Sequence, residues 1–182
     1  MFSYLCCLTK NDTMNAITIQ KKQYSFTELR TYLLAALFVI GNIVFPRLCH
    51  LIPNGGHIFL PIYFFTLVGS FKYGWKVGLL TAVLSPIVNC VFFGMPPVAS
   101  LPSILVKGIT LASAAGVIGK KMNFSILSVA LAVLICQAVG MTFEYLTDFN
   151  LLHALQDVRI GWPGILIQIL GGYLLLRLID KW

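Results

Sequence analysis

The sequence predicts an all-α integral membrane protein, a bundle of six transmembrane helices with both termini in the cytoplasm. Of its 182 residues, 58% are hydrophobic and 10% are charged, with a mean hydropathy of +0.88. Soluble domains have about 45–50% apolar and about 25% charged residues. Long apolar runs recur along the chain, and the Lys and Arg behind its net charge of +7 fall singly or in pairs between them. Such a chain is a poor candidate for a soluble enzyme, a disordered protein or a nucleic-acid-binding domain.

The six predicted spans approach the length of about 20 residues that a helix needs to cross a bilayer. In chain order they are Tyr32–Phe45, Ile58–Phe71, Trp75–Phe93, Leu101–Ile118, Phe124–Tyr145 and Ile160–Ile179. Pro46 to Gly56 separates the first two, and the turn at Gly94 to Pro97 ends the third. The first span is short unless Thr27–Arg30 begin the helix, and the second span is marginal in length. A count of five or seven would require the second and third spans to merge or the fifth to split.

The basic residues predict the orientation. With six spans, one side holds ten of them: Lys10, Lys21, Lys22, Arg30, Lys72, Lys76, Lys120, Lys121, Arg177 and Lys181. The other side holds Arg47 and Arg159, and Lys107 falls inside the fourth span. Because cytoplasmic loops carry the excess of Lys and Arg, both termini are predicted to be cytoplasmic. The expected location is a bacterial inner membrane or plasma membrane.

The N-terminal residues 1–25 lack the pattern of a cleavable signal and predict a short cytoplasmic tail before a single membrane domain, 26–182. Small residues at four-residue spacing mark the third, fourth and sixth spans, and they suit packing inside the bundle or docking of another membrane subunit. The sequence contains no HExxH, GxSxG or nucleotide-binding motif, and its five cysteines show no CxxC spacing. The chain is therefore predicted to be non-catalytic and to hold no cofactor or metal.

Polar side chains within the spans are predicted to lie in the outer half of the membrane. They are Asn89, Lys107, Gln137, Glu144 and Gln168. The outer loops and the start of the last span add His50, Asn54, His57 and Trp162. A proton path or a channel would distribute polar groups over the full thickness. The asymmetry instead predicts a pocket that is open to the outside and closed to the cytoplasm.

Each of these residues also has a structural interpretation. Lys107 can extend to the outer headgroups, and Glu144 can form an ion pair with Lys107 or Arg159. The three amides can hydrogen-bond between helices. The two loop histidines and Trp162 can be interfacial residues.

Several segments together carry a resemblance to a known family. They are the loop Pro46–His57, the run Ile58–Phe71 continued by Lys72 to Gly78, Ser85-Pro86 with Gly94 to Pro97, and the start of the fourth span at Leu101-Pro102 with Lys107. Over roughly residues 30–180, the chain resembles the substrate-binding S-component of energy-coupling factor (ECF) transporters. The resemblance implies a subunit that captures a vitamin or related micronutrient and docks on a membrane coupling subunit with two cytoplasmic ATPases. In that family, small residues of the first span, often Ala-x-x-x-Ala, contact the coupling subunit. Ala35, Ala36 and Gly41 are the candidates here, although their spacing departs from that motif.

The leading hypothesis is therefore a receptor for a small water-soluble nutrient within an ATP-driven importer. Lys107 would bind a carboxylate or phosphate, Glu144 would tune Lys107 or accept from an amine, and the three amides would orient the ligand. Trp162 would stack on a ring, and the loop residues would close over it. The alternatives are a standalone carrier driven by a proton or sodium gradient, and a structural membrane protein without a ligand.

Overall fold

A computed structural model describes residues 23–49, 61–122, 124–149 and 155–180. Its helices are α1 (Leu29–Cys49), α2 (Phe64–Tyr73), α3 (Trp75–Phe93), α4 (Leu101–Lys121), α5 (Ile126–Asp148), α6 (Gln156–Arg159) and α7 (Trp162–Asp180). Short 3₁₀ turns at Pro61–Tyr63 and Val98–Ser100 precede α2 and α4. The described part of the chain contains no strand, which confirms the all-α prediction for those residues.

Five of the described helices, α1, α3, α4, α5 and α7, are long and apolar enough to cross a membrane. The third predicted span coincides with α3. The predicted break at Pro46 is wrong, because α1 continues through that residue to Cys49. Helix α2 has ten residues and is about 15 Å long, half of the roughly 30 Å hydrocarbon core. The described part of the second predicted span does not cross by itself, so the count of six stays a prediction.

Helices α1 and α3 begin at the same end of the bundle and run in the same direction. Phe26, just before α1, packs edge-on against Trp75 with 5.9 Å between ring centroids. At the other end, the guanidinium carbon of Arg47 lies 3.5 Å from the centroid of the Phe93 ring. The backbone N–H of Tyr24 donates to the carbonyl of Tyr73 at 3.4 Å. Helix α2 therefore ends where α1 and α3 begin.

The remaining long helices alternate in direction. A Cβ atom at Gly116, late in α4, would lie 2.8 Å from the Cα of Trp75, so α4 ends near the start of α3. Phe124, just before α5, stacks on Tyr173 near the end of α7, with 4.9 Å between centroids. We call this end, where α1, α3 and α5 begin, the basic end. Its described basic residues are Arg30, Lys72, Lys76, Lys120, Lys121 and Arg177. Arg47 and Arg159 lie at the opposite end.

The centre of the bundle is α2, which packs against α1, α3, α4 and α7. Its Leu67 and Val68 are fully buried. Glycines on the surrounding helices allow close approach: a Cβ at Gly78 would lie 2.7 Å from Ser70 Cβ, and one at Gly172 would lie 2.9 Å from Leu67 Cδ2. Helices in lipid associate through such close packing because the hydrophobic effect contributes little there. These small residues of the third and sixth predicted spans therefore pack within the bundle.

Candidate binding site

A buried ion pair joins α4 and α5. The ammonium of Lys107 lies 2.5 Å from Glu144 Oε1, and the side chains of Lys107 and Glu144 are 3% and 13% exposed. The hydroxyl of Ser103, one turn before Lys107, donates to the same carboxylate oxygen. We call Ser103, Lys107 and Glu144 the Lys107 cluster. Lys107 is the seventh residue of α4, about 9 Å from the start of that helix, so the cluster lies towards the end opposite to the basic end.

A glycine gives the Lys107 side chain its path to Glu144. A Cβ atom at Gly140 would lie 2.5 Å from Lys107 Cγ and 2.9 Å from Cδ, both far inside van der Waals contact. The lysine methylenes thus lie directly on the backbone of α5, one turn before Glu144. Next to them, the Cys136 thiol donates to the Lys107 carbonyl at 3.1 Å. Lys107 and Glu144 were predicted from the sequence, but Gly140 was not, because its role depends on a lysine in another helix.

The pair makes the cluster electrically neutral in an apolar environment. A charged side chain at the centre of a spanning helix costs about 2.5–3.5 kcal/mol on insertion scales. Removing one partner from a buried pair leaves the other charge uncompensated and costs about 3–5 kcal/mol. Lys107 can therefore leave Glu144 only if another positive group takes its place, and Glu144 can leave Lys107 only if another negative group does.

Two glutamines of α5 and α7 are also buried. Gln137 is 5% exposed and Gln168 is 2% exposed, so neither is directed to lipid. Gln137 lies at the midpoint of α5, seven residues before Glu144, which places both on nearly the same face. The Gln137 Oε1 atom is buried and accepts no hydrogen bond from the described residues. Gln168 is one turn from Gly172, which approaches Leu67 of α2.

A second set of polar side chains ties α1, α2 and α3 together around Asn42. Its Nδ2 donates to Thr66 Oγ1 at 3.2 Å and to Ser85 Oγ at 3.1 Å. Its Oδ1 accepts from the backbone N–H of Phe65 at 3.3 Å. An N–H in the first turn of a helix has no acceptor within that helix, so Asn42 serves as a cap for α2. We call Asn42, Thr66, Ser85 and Asn89 the Asn42 cluster.

Asn89 replaces a backbone hydrogen bond that Pro46 removes from α1. A proline inside a helix has no N–H to donate to the carbonyl four residues earlier, which here belongs to Asn42. Asn89 Nδ2 donates to that carbonyl at 3.2 Å. An interhelical hydrogen bond was one of the roles predicted for Asn89, and the structure contains it. Asn42 was not among the predicted residues, although an amide within an apolar span was a visible signal.

The remaining predicted site residues are dispersed. Trp162 is the first residue of α7 and is 58% exposed, a position that suits an interfacial anchor. His50, Asn54 and His57 lie outside the described residues. The structure therefore brings together the Lys107 and Glu144 side chains but does not place Trp162 in an enclosed site.

The three docking candidates of α1 occupy different environments. Ala35 is 1% exposed and belongs to the core. A Cβ atom at Gly41 would lie 3.0 Å from the Phe65 ring, so this glycine packs against α2. Ala36 is exposed. Ala36 is therefore the most exposed of the three, and Gly41 is half-buried.

A small cleft of about 160 Å³ lies at the basic end, away from the Lys107 cluster. It is lined by Gln23, Tyr24, Ser25, Gly74, Trp75 and Lys76. The Lys76 ammonium lies 3.5 Å from Ser25 Oγ at its edge. In the described parts of the chain, no three His, Cys, Asp or Glu side chains group closely enough to hold a metal ion.

No known family, curated protein or solved structure matches the chain. A function therefore has to follow from its residues. The features that can carry one are the Lys107 cluster, the buried glutamines and the distribution of basic residues between the two ends.

Proposed function

We propose that this chain is a non-catalytic membrane subunit that binds a small water-soluble nutrient from outside the cell for import by ATP-driven partner subunits. The observation that carries the proposal is the buried Lys107–Glu144 pair, which lies towards one end of an otherwise apolar bundle. Ionisable residues within spanning helices are costly, and most of them mark a functional site. The excess of Lys and Arg makes the basic end cytoplasmic. The Lys107 cluster then lies in the outer half of the membrane, where an external ligand reaches it.

Six crossings with cytoplasmic termini are part of the proposal. Helices α1 and α3 both begin at the basic end and run in the same direction. We therefore include in the proposal one return crossing between the end of α1 and the start of α3. Helix α2 forms the last part of that return and ends at the basic end beside Tyr24. Five long helices and this return make an even number of crossings.

The resemblance to ECF S-components suggests the partners, a membrane coupling subunit and two cytoplasmic ATPases. An importer built on this chain needs them because the sequence contains no nucleotide-binding motif. The exposed face of α1 is the best candidate for docking, since Ala36 lies there among Leu33, Leu37 and Ile40, which are 57–61% exposed. A small residue on an apolar face allows close approach of a partner helix.

Native mass spectrometry of the chain purified in mild detergent tests this function. We expect a small molecule to remain bound to the unmodified chain and to be lost from the double variant Lys107→Met with Glu144→Leu, which leaves neither charge of the pair without a partner. The matched control is Lys121→Met, which removes one positive charge at the basic end. A molecule held equally by both variants, or no molecule on the unmodified chain, would contradict the proposal.

One observation favours a second candidate, a standalone carrier. Opposite ionisable side chains buried in a membrane are also typical of proton-coupled transport. Vesicles that contain only this chain distinguish the two functions once the co-purified molecule is known. Uptake without partner subunits that an uncoupler abolishes would support the carrier, whereas uptake that needs the coupling subunit, the ATPases and ATP would support the importer.

A further inference from the structure

We infer that the ligand of the Lys107 cluster is a zwitterion, a small molecule with both an acidic and a basic group. This inference depends on the proposed function and narrows it. The sequence alone predicted that Lys107 binds a carboxylate or phosphate and that Glu144 tunes Lys107 or accepts from an amine. In the structure, however, the Lys107 ammonium already has a carboxylate partner 2.5 Å away.

A ligand with a single charge fits this pair poorly. An anion that approaches Lys107 can remain beside Glu144, which places two negative charges side by side. Otherwise it displaces Glu144 from Lys107, its only cationic partner among the described side chains. The Glu144 side chain is 13% exposed, so its charge is then left buried without a partner. A cation at Glu144 has the converse effect on Lys107. A buried charge without a partner is strongly unfavourable. A zwitterion avoids both outcomes because its acid pairs with Lys107, its amine pairs with Glu144, and the net charge of the site stays zero.

Gln137 provides a third point of recognition. Its Oε1 atom is buried and accepts no hydrogen bond from the described residues, although buried acceptors are almost always paired. It lies two turns deeper than Glu144 on nearly the same face of α5, about 10 Å along the helix axis. A ligand whose amine reaches Glu144 can direct a second N–H or O–H towards Gln137. The site therefore suits a molecule of at most about 10 Å with an additional donor.

Three para-substituted benzene derivatives test the charge requirement at neutral pH. They are 4-(aminomethyl)benzoate, which is a zwitterion, 4-methylbenzoate, which is an anion, and 4-methylbenzylamine, which is a cation. Their affinities for the purified chain in detergent are measured by calorimetry and by the shift in thermal unfolding. We expect the zwitterion to bind at least about ten-fold more tightly than either other probe, because it alone forms a charge-assisted hydrogen bond with each member of the pair.

The control is the double variant Lys107→Met with Glu144→Leu. Replacing both members of a buried pair with apolar residues of similar volume is often neutral or stabilising, so this variant folds even where a single replacement does not. It should lose the preference for the zwitterion. Equal binding of a singly charged probe by the unmodified chain, equal zwitterion binding by the double variant, or no binding of any probe would overturn the inference. The proposed function is judged separately, by whether the unmodified chain co-purifies with a small molecule of any charge.

Discussion

Replacing Gly140 with alanine should break the Lys107–Glu144 pair without changing either charge. The new methyl group would lie 2.5 Å from Lys107 Cγ and 2.9 Å from Cδ, so the lysine has to leave the surface of α5. Its ammonium then moves away from Glu144, one turn further along the same helix. The substitution thus acts on the ion pair by steric overlap with the Lys107 side chain.

The magnitude follows from two opposing terms. Loss of one partner of a buried pair costs about 3–5 kcal/mol, and the lower value of about 3 applies because the displaced lysine can still extend to the headgroups. Alanine in a helix is about 1 kcal/mol more favourable than glycine. Gly140→Ala should therefore lower the free energy of unfolding by about 2 kcal/mol. In a Lys107→Ala background the lysine atoms that lie against Gly140 are absent. Gly140→Ala should there raise the free energy of unfolding by about 1 kcal/mol.

A double-mutant cycle measures this difference. The free energy of unfolding is determined in bicelles for the unmodified chain, the two single variants and the double variant. Glu144 is unpaired in both members of the Lys107→Ala background, so that cost cancels. We expect a coupling of about 3 kcal/mol, at the upper end of values for contacting residues. Equal effects of Gly140→Ala in the two backgrounds would refute the contact between this glycine and Lys107.

Three further predictions concern the rest of the bundle. Asn42→Leu removes the cap of α2 and should lower the free energy of unfolding by about 2–4 kcal/mol, as measured by unfolding in bicelles, since each unpaired buried group costs about 1–3 kcal/mol; an effect below 1 kcal/mol would contradict its central role. Gly116→Leu should abolish folded, monodisperse protein in size-exclusion chromatography, because its Cβ would lie 2.8 Å from the backbone Cα of Trp75, which cannot move aside. In a chain without native cysteines, Lys121→Cys should react with an impermeant thiol reagent only after the cell is opened and Arg159→Cys in intact cells, and the reverse pattern would invert the proposed orientation.

Apolar patterning predicted the long helices because each crossing helix has to be apolar along its whole length. The bounds of α3 followed directly, since Gly74 and Gly94, both with positive φ, stand at its two ends. The alternation of the predicted spans put the starts of α1, α3 and α5 at one end of the bundle, where the structure has them. Lys107 and Glu144 were found because ionisable residues are rare within such helices and stand out from their surroundings.

Predictions from the local sequence failed where a residue of another helix determines the structure. Pro46 predicted the end of the first span, yet α1 continues because Asn89, 47 residues beyond Asn42, supplies the hydrogen bond that the proline cannot. Gly140 was missed for the same reason, since its role depends on a lysine in another helix. Neither contact has a signature in the local pattern. Both arise only when the helices pack.

The Asn42 cluster and the buried Gln137 differ in whether their polar atoms have hydrogen-bond partners. The Asn42 side chain donates to two hydroxyls and accepts from a backbone N–H, and Asn89 is engaged by the carbonyl that Pro46 leaves free. These hydrogen bonds join α1, α2 and α3, so replacing either asparagine should weaken the fold before it weakens binding. Gln137 has the opposite property, because its buried Oε1 lacks a partner among the described residues. Gln137→Leu removes that acceptor at similar volume, so its main effect should fall on the ligand rather than on the fold.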